Sequence, residues 1–264
     1  MPEGPEVRRI VDGLNANIQG TRIIDIKSHD DRYSPSGSQL RGSAADFLKQ
    51  SREAILTIGE IKCHGKFIYL RIRGENPVQD QWRIFHTLGM GGGWTVSKKP
   101  KNHLCLELVL QSQTKDKPFS IYYYDSRRFG TFKFLEGDEG IFALQRKLTK
   151  ELGPDLLNQE KPISSRSFQD RLKARKGSWT IAQALMNQAV VAGIGNYLKA
   201  EIQAHAIRAQ RDYFARNSGA YCDTVEEADN LNNELYDESL EVFEASGGAE
   251  GYAAPFEELL STIA

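Results

Sequence analysis

Residues 119–136 read FSIYYYDSRRFGTFKFLE, and they contain two short β-type runs separated by a polar turn. Phe119–Tyr124 and Gly130–Phe134 are rich in aromatic side chains, which favour strands. Similar runs precede them along the chain, each bounded by turn residues: Thr21–Lys27, Ala54–Lys62, Phe67–Ile72, Arg83–Leu88 and Leu104–Leu110. A succession of short strands of this kind predicts an antiparallel β-sandwich or barrel, and we expect a two-layer antiparallel β-sandwich.

Helical patterns flank and follow these strands. Val7, Ile10, Val11, Leu14 and Ile18 recur at helical spacing, which predicts an amphipathic helix that ends at Gly20. Beyond a helical run that Gly153-Pro154 ends, the remaining patterns are also helical. We therefore expect an α+β protein with a β-sandwich domain (1–152), a linker (153–163) and a helical domain (164–264).

The charge of the chain is divided unevenly. The net charge is −1, but residues 221–264 contain 12 acidic and no basic side chains, so residues 1–220 carry 34 − 23 = +11. A basic body of this kind predicts an acidic partner such as nucleic acid. No apolar run approaches the ~18 residues of a membrane span, and the start has no apolar signal core. Three cysteines without a CxxC pair fit a reducing compartment, so we expect an intracellular protein.

The first residues can form a reaction centre. Removal of Met1 would leave Pro2 as a secondary amine beside Glu3 at a helix start. An α-amino group titrates near ~7.7–8, so part of it is a neutral nucleophile at pH 7. Such an amine can form an iminium with a sugar carbon, and Glu3 can act as general acid or base.

Several motifs, taken in order, resemble the Fpg/Nei family of DNA glycosylases. PEGPEV (2–7) is similar to the family's opening, and Gly4 resembles the endonuclease VIII (Nei) branch. The other matching segments are HGKFIYL (64–70), TLGMGGGW (87–94), YDSRRFG (124–130), LGPDLL (152–157) and NQAVVAGIGNYLKAE (187–201). The resemblance spans roughly residues 2–207 and implies that 1–152 is the catalytic domain and that 180–206 is a helix–two-turn–helix.

The resemblance implies a bifunctional DNA glycosylase and AP lyase of base excision repair. Pro2 would attack C1′ of the damaged nucleotide, Glu3 would aid ring opening, and Lys66 would contact the flanking phosphate and donate a proton in β-elimination. Oxidised pyrimidines are the expected substrates. The scheme requires no metal and no organic cofactor.

The resemblance also implies which residues contact DNA. Met90, Arg127, Arg128 and Phe129 would fill the gap left by the extruded nucleotide, and Asn196 would bind phosphate. GIGN at a helix start presents free backbone N–H groups to an anion, and a lone methionine among glycines has little local core to join. The expected partner is double-stranded DNA that contains oxidised bases or abasic sites, bound by a monomer without a membrane.

The chain departs from the family pattern at its end. It has no CxxC and no arginine after Arg216, so we expect the usual zinc finger to be absent. Whether the chain performs δ-elimination, the second strand cleavage, is therefore left open. The same chemistry on oxidised purines is one alternative, and a protein that binds damaged DNA without cutting it is another. An N-terminal-proline tautomerase fits less well, because those chains begin with a strand and are much shorter.

Overall fold

A computed structural model describes residues 2–75, 80–97, 103–112, 117–158, 164–174 and 180–216. The chain divides into two compact units, of which the first ends at Thr149 and the second begins at Lys150. The predictions for residues 159–163 of the linker, for the acidic segment 221–264 and for a missing finger lie outside the described residues. The α+β class is confirmed, since a large sheet with flanking helices is followed by helices.

Among the described residues of the first unit, nine strands form one hydrogen-bonded sheet. The strands are β1 Arg22–Ser28, β2 Leu40–Gly42, β3 Leu56–His64, β4 Phe67–Arg73, β5 Asp80–Thr87, β6 Gly93–Thr95, β7 Leu104–Gln111, β8 Phe119–Tyr124 and β9 Thr131–Glu136. Their order is β2-β9-β5-β4-β3-β1-β7-β8-β6. The β2–β9 pair is parallel, and the other described pairs are antiparallel.

The sheet folds over into two facing layers. The rings of Tyr123 on β8 and Phe132 on β9 lie 5.2 Å apart, although five strands separate β8 from β9 in the hydrogen-bonded order. Register shifts in the central strands, between Ile23 and Asp25 and between Ile58 and Ile61, mark places where the ladder is interrupted and can bend. The apolar core of the unit therefore lies between the two halves of one sheet.

Three α-helices flank the sheet: α1 Gly4–Ile18, α2 Ala44–Glu53 and α3 Gly137–Arg146. The apolar face of α1 is buried as its spacing predicts, and its Asn15 side chain fixes the helix to β3. Asn15 Nδ2 donates to the carbonyl of Ile61 at 2.7 Å, and the Ile61 N–H donates to Asn15 Oδ1 at 3.0 Å. This pairing holds the start of the chain against the sheet.

The described helices of the second unit are α4 Ser165–Lys173, α5 Ile181–Met186 and α6 Asn196–Arg216. They share a small apolar core of Leu156, Phe168, Leu185, Val190, Val191, Ile194, Leu198, Ile202 and Ala206. The sequence pattern predicts that α5 continues to Val191, which is wrong, because the backbone of Asn187 is extended and ends the helix. Among the described helices, none is both long and apolar enough to cross a membrane.

Candidate active site and nucleic-acid interface

Glu3 is the N-cap of α1, and Pro2 stands immediately before it. Glu3 is only 2% exposed. Its backbone N–H donates to Glu6 Oε2 at 3.1 Å, and its carbonyl accepts from the N–H of Val7 at 2.9 Å. Both main-chain groups of Glu3 are therefore hydrogen-bonded within the start of the helix, which fixes the backbone of Glu3.

Lys66 lies in the two-residue turn between β3 and β4. Gly65 opens this turn with a φ of +57°, a left-handed conformation that suits glycine. Lys66 is half-buried, and burial lowers the pKa of its amine, while the negative charge of Glu3 acts in the opposite direction. The charge of Glu3, the residue after Pro2, therefore acts on Lys66 in the folded chain, although the two residues are far apart in sequence.

Met90, Arg127 and Phe129 come together where two loops of the first unit meet. Arg127 Nη1 donates to the sulfur of Met90 at 3.2 Å. Gly89, with a φ of +63°, lies so close to Phe129 that an added Cβ would stand 2.9 Å from the Phe129 Cβ. Met90 is 42% and Phe129 54% exposed, and Arg127 is exposed as well. Two apolar side chains and a cation therefore form one solvent-facing group, which we call the wedge.

Arg128 is placed differently from the other three residues that are predicted to fill the gap left by the extruded nucleotide. Its guanidinium Nε donates to the carboxylate of Asp30 in a close ion pair. The side chain of Arg128 is 29% exposed and that of Asp30 14%. Arg128 is therefore directed to a partner within the protein in this structure, whereas Arg127 belongs to the wedge.

Sequence reasoning missed Asp125, which holds the loop that carries Arg127 and Phe129. Asp125 is fully buried, and it accepts the N–H of Arg127 on Oδ1 at 3.0 Å and the N–H of Gly130 on Oδ2 at 2.8 Å. An aspartate directly before a polar turn is a signal for such backbone capping. Asp30 offered no comparable signal, because its partner is 98 residues away in sequence.

Asn196 opens α6 in the second unit and is exposed. Its Oδ1 accepts a hydrogen bond from Lys199 Nζ at 3.3 Å. Gln188, which the sequence analysis did not identify, holds the loop before Asn196 in place. Its Nε2 donates to the carbonyl of Ile194 at 2.8 Å, and its Oε1 accepts the N–H of Gly193 at 3.0 Å. A helix start with an amide side chain and a nearby lysine can bind a phosphate.

Within the described ranges, no three His, Cys, Asp or Glu side chains are grouped so that they could hold a metal ion. His86 lies near the wedge in sequence but is buried in the core. Its ring stacks on Phe132 with centroids 4.0 Å apart. His86 therefore belongs to the packing behind the wedge.

The sequence of this chain is similar to those of proteins of one family. The profile of the formamidopyrimidine-DNA glycosylase N-terminal domain matches residues 1–132, which is half of the chain. Endonuclease 8 of Salmonella agona strain SL483 is 30% identical over 205 residues, covering 76% of this chain and 66% of that protein. Endonuclease 8 of Escherichia coli K12 is 29% identical with the same coverage. This chain thus spans just under two thirds of the length of these relatives.

Solved structures of similar fold include complexes of Lactococcus lactis Fpg with DNA. The complex with DNA containing an oxidised pyrimidine has a TM-score of 0.61 and 24% identity, and it covers 98% of this chain and 86% of that one. The complex with DNA containing an abasic site has a TM-score of 0.61 and 23% identity, with 96% and 84% covered. These likenesses establish the shared fold. The matched N-terminal domain shows that the chain belongs to the Fpg/Nei family.

Proposed function

We propose that this protein is a base-excision-repair DNA glycosylase and AP lyase that removes oxidised bases, with pyrimidines preferred. The observation that carries this proposal is that the charge of Glu3, the buried residue after Pro2, acts on the half-buried amine of Lys66. The carboxyl group of Glu3, the Lys66 amine of lowered pKa and the secondary amine of Pro2 would supply an acid, a base and a nucleophile. Family membership adds the reaction class to which such a group belongs.

The proposed reaction begins after Met1 is removed. The neutral amine of Pro2 attacks C1′ of the extruded nucleotide as the damaged base leaves with the electron pair of its glycosidic bond, and the proton lost from the Pro2 nitrogen goes to the base. The C1′–O4′ bond then breaks while the carboxyl group of Glu3 protonates O4′, and the lone pair of the Pro2 nitrogen forms a double bond to C1′. The resulting iminium makes the C2′ proton acidic. Loss of that proton and of the 3′ phosphate breaks the strand by β-elimination, and hydrolysis of the imine frees Pro2.

Lys66 serves this reaction through its charge state. Burial lowers the pKa of Lys66, and the adjacent Glu3 carboxylate limits the lowering. An amine poised in this way can pair with a DNA phosphate when charged and can exchange a proton when neutral. We propose that it binds the phosphate beside the lesion and assists elimination.

The proposed partner is double-stranded DNA with an oxidised base or an abasic site, bound by a monomer inside the cell. The side chains of the wedge, Met90, Arg127 and Phe129, are exposed, as a group that enters a base stack must be. Asn196 on the second unit is proposed to bind a backbone phosphate. The helix pair 180–206 is proposed to be the helix–two-turn–helix of a domain that follows the linker 153–163.

Oxidised purines are the second candidate substrate class, because a solved structure of similar fold is MutM in complex with DNA containing carbocyclic 8-oxoguanine, at 24% identity. Gly4 supports the pyrimidine preference by its resemblance to the Nei branch.

Incision of defined duplexes tests both the reaction and the preference. Duplexes with one thymine glycol, one 8-oxoguanine or one abasic site are incubated with the protein, and the products are separated on a denaturing gel. We expect β-elimination products with the abasic and thymine glycol duplexes and slower cutting at 8-oxoguanine. Binding of the abasic duplex without any incision would contradict the enzyme proposal and support a non-cutting damage binder.

A further inference from the structure

The loop between β8 and β9 displays its side chains on alternating sides. Arg127 and Phe129 are exposed in the wedge, while Arg128 between them is directed to Asp30. Arg128 is the one non-glycine residue with a positive φ among the described residues, at +57°. This conformation is unfavourable for a residue with a Cβ, so surrounding contacts must hold it.

Asp30 is itself fixed before it pairs with Arg128. It is the N-cap of the short 3₁₀ turn Asp31–Tyr33, and its Oδ1 accepts the N–H of Arg32 at 3.0 Å. Its other oxygen accepts from the Arg128 guanidinium. Burial raises the pKa of Asp30, but the hydrogen bonds from Arg128 and Arg32 and their positive charges outweigh it, so the net pKa is lowered. The carboxylate is therefore held charged and in place.

A second carboxylate, that of Asp125, stabilises the same loop through two hydrogen bonds. The two oxygens of Asp125 accept the N–H groups of Arg127 and Gly130, which bracket Arg128 and Phe129. The hydroxyl of Tyr33, the residue directly after Arg32, donates to the carbonyl of Gly130 at 3.0 Å. The segment 30–33 thus supports the loop at Arg128 and again at Gly130.

We propose that the two arginines have separate tasks and that Asp30 is a positioning residue for the wedge. Arg128, held by Asp30, fixes the left-handed backbone of the loop, and this directs Arg127 and Phe129 together toward the damaged duplex. Arg128 then contributes through the loop and not through contact with DNA. This inference rests on the proposed recognition of damaged DNA.

The opposite arrangement makes a different prediction. In the opposite case, Arg128 would leave its ion pair with Asp30 when DNA binds and pair with a DNA phosphate instead. Removal of the Asp30 charge would then make Arg128 available to the phosphate and strengthen DNA binding. If Asp30 positions the wedge, removal of its charge weakens recognition of the lesion, because the loop loses its support.

The experiment measures binding to a duplex with a tetrahydrofuran abasic analogue and to the same duplex undamaged, by fluorescence anisotropy. The variants are Asp30→Asn, Arg128→Gln and the double variant. Asp31→Asn is the control, because Asp31 is an exposed neighbour on the same turn and its substitution removes the same charge. The measured quantity is the ratio of the two affinities, which cancels the general effect of charge on DNA binding.

We expect Asp30→Asn and Arg128→Gln each to lower this ratio by about tenfold, and the double variant to fall no further, since both remove one contact. Asp31→Asn should keep the ratio of the unmodified protein. An unchanged ratio in Asp30→Asn, or tighter lesion binding than in Asp31→Asn, would overturn the positioning role. Lack of discrimination by the unmodified protein would instead contradict the proposed function. If Asp30→Asn fails to fold, Arg128→Gln tests the same contact from the other side.

Discussion

The indole Nε1 of Trp94 donates a hydrogen bond to Nε2 of His86 at 3.2 Å, and this fixes the tautomer of a buried histidine. Nε2 must accept, so the ring proton is on Nδ1, which faces the carbonyl of Thr131 at 3.0 Å. Protonation of Nε2 would set its N–H against the N–H of Trp94 in a buried site. Burial accordingly lowers the pKa of His86 to about 4, against the weaker raising effects of Thr131 and the charge of Asp125.

The first prediction concerns stability and pH. Because the pKa of His86 is lower in the folded than in the unfolded chain, the unfolded chain binds more protons between about pH 4 and 6.5. Stability is therefore fully present above pH 6.5 and is lost as the pH falls. Between pH 7.5 and 5.0, the free energy of unfolding should fall by about 2 kcal/mol, measured by urea denaturation at each pH.

His86→Gln is the matched control, because glutamine can donate to the Thr131 carbonyl and accept from Trp94 but does not titrate. Its stability should change little between pH 7.5 and 5.0, whatever its absolute value. An equally steep loss in His86→Gln would assign the pH dependence to other groups.

The second prediction concerns the charge coupling of Glu3 and Lys66. Since the Glu3 carboxylate raises the pKa of Lys66 against the effect of burial, Glu3→Gln should lower that pKa further. The measurement is an NMR titration of the protein with 13C-methylated lysines. Glu60→Gln is the control, because Glu60 pairs with Lys62 at 3.1 Å and its loss should affect the Lys62 signal and not that of Lys66. A Lys66 pKa that stays the same in Glu3→Gln would contradict the coupling.

The third prediction separates binding from stability at the wedge. Phe129 is largely exposed, so Phe129→Ala should change the free energy of unfolding by no more than about 0.5 kcal/mol. Affinity for an abasic duplex should fall by about tenfold, because the stack would lose a filling ring. Met90→Ala should behave in the same way.

Phe142→Ala on α3 is the control, since Phe142 is 67% exposed and the same atoms are removed outside the wedge. Its affinity for the abasic duplex should equal that of the unmodified protein. Equal losses in Phe129→Ala and Phe142→Ala would show that the wedge has no special part in binding.

The fourth prediction concerns the phosphate site of the second unit. Asn196→Ala removes an exposed amide, so we expect weaker binding to damaged and undamaged duplexes alike with little loss of stability. Gln188→Ala should weaken binding and also cost about 1–3 kcal/mol, because the N–H of Gly193 and the carbonyl of Ile194 lose their partner. Thermal unfolding and anisotropy on the same samples check both. A normal affinity in Asn196→Ala would exclude that residue from the phosphate site.

Local patterns predicted much of the fold. The bounds of β8 match the predicted run, because an aromatic-rich segment is bounded by Pro118 and Asp125. Helix α2 was missed, since its buried residues are Ala44, Phe47, Leu48 and Ser51, and two of these four are small or polar. Helix α5 was predicted too long because Val190 and Val191 continue an apolar pattern, but they are buried in the turn that follows it.

The candidate site was predictable where its residues belong to motifs and was not where it depends on the tertiary fold. Pro2 and Glu3 were named from the chemistry of the first residues and Lys66 from the resemblance, whereas the burial that lowers the pKa of Lys66 appears only in the folded chain. The ion pair of Asp30 with Arg128 joins residues on distant segments, and no local spacing encodes it. The sequence therefore suggested DNA contacts for both Arg127 and Arg128. In the structure, Arg127 belongs to the wedge, whereas Arg128 is paired with Asp30.

The central claim is that Pro2 attacks the sugar, and borohydride trapping tests it most directly. Sodium borohydride reduces the imine to a stable amine, and mass spectrometry of the digested adduct identifies the modified residue. We predict an adduct on Pro2 with abasic duplex DNA, which persists in Lys66→Ala and is lost when the chain retains Met1. An adduct on Lys66, or tight binding of abasic and oxidised duplexes with no adduct on any of them, would contradict this account.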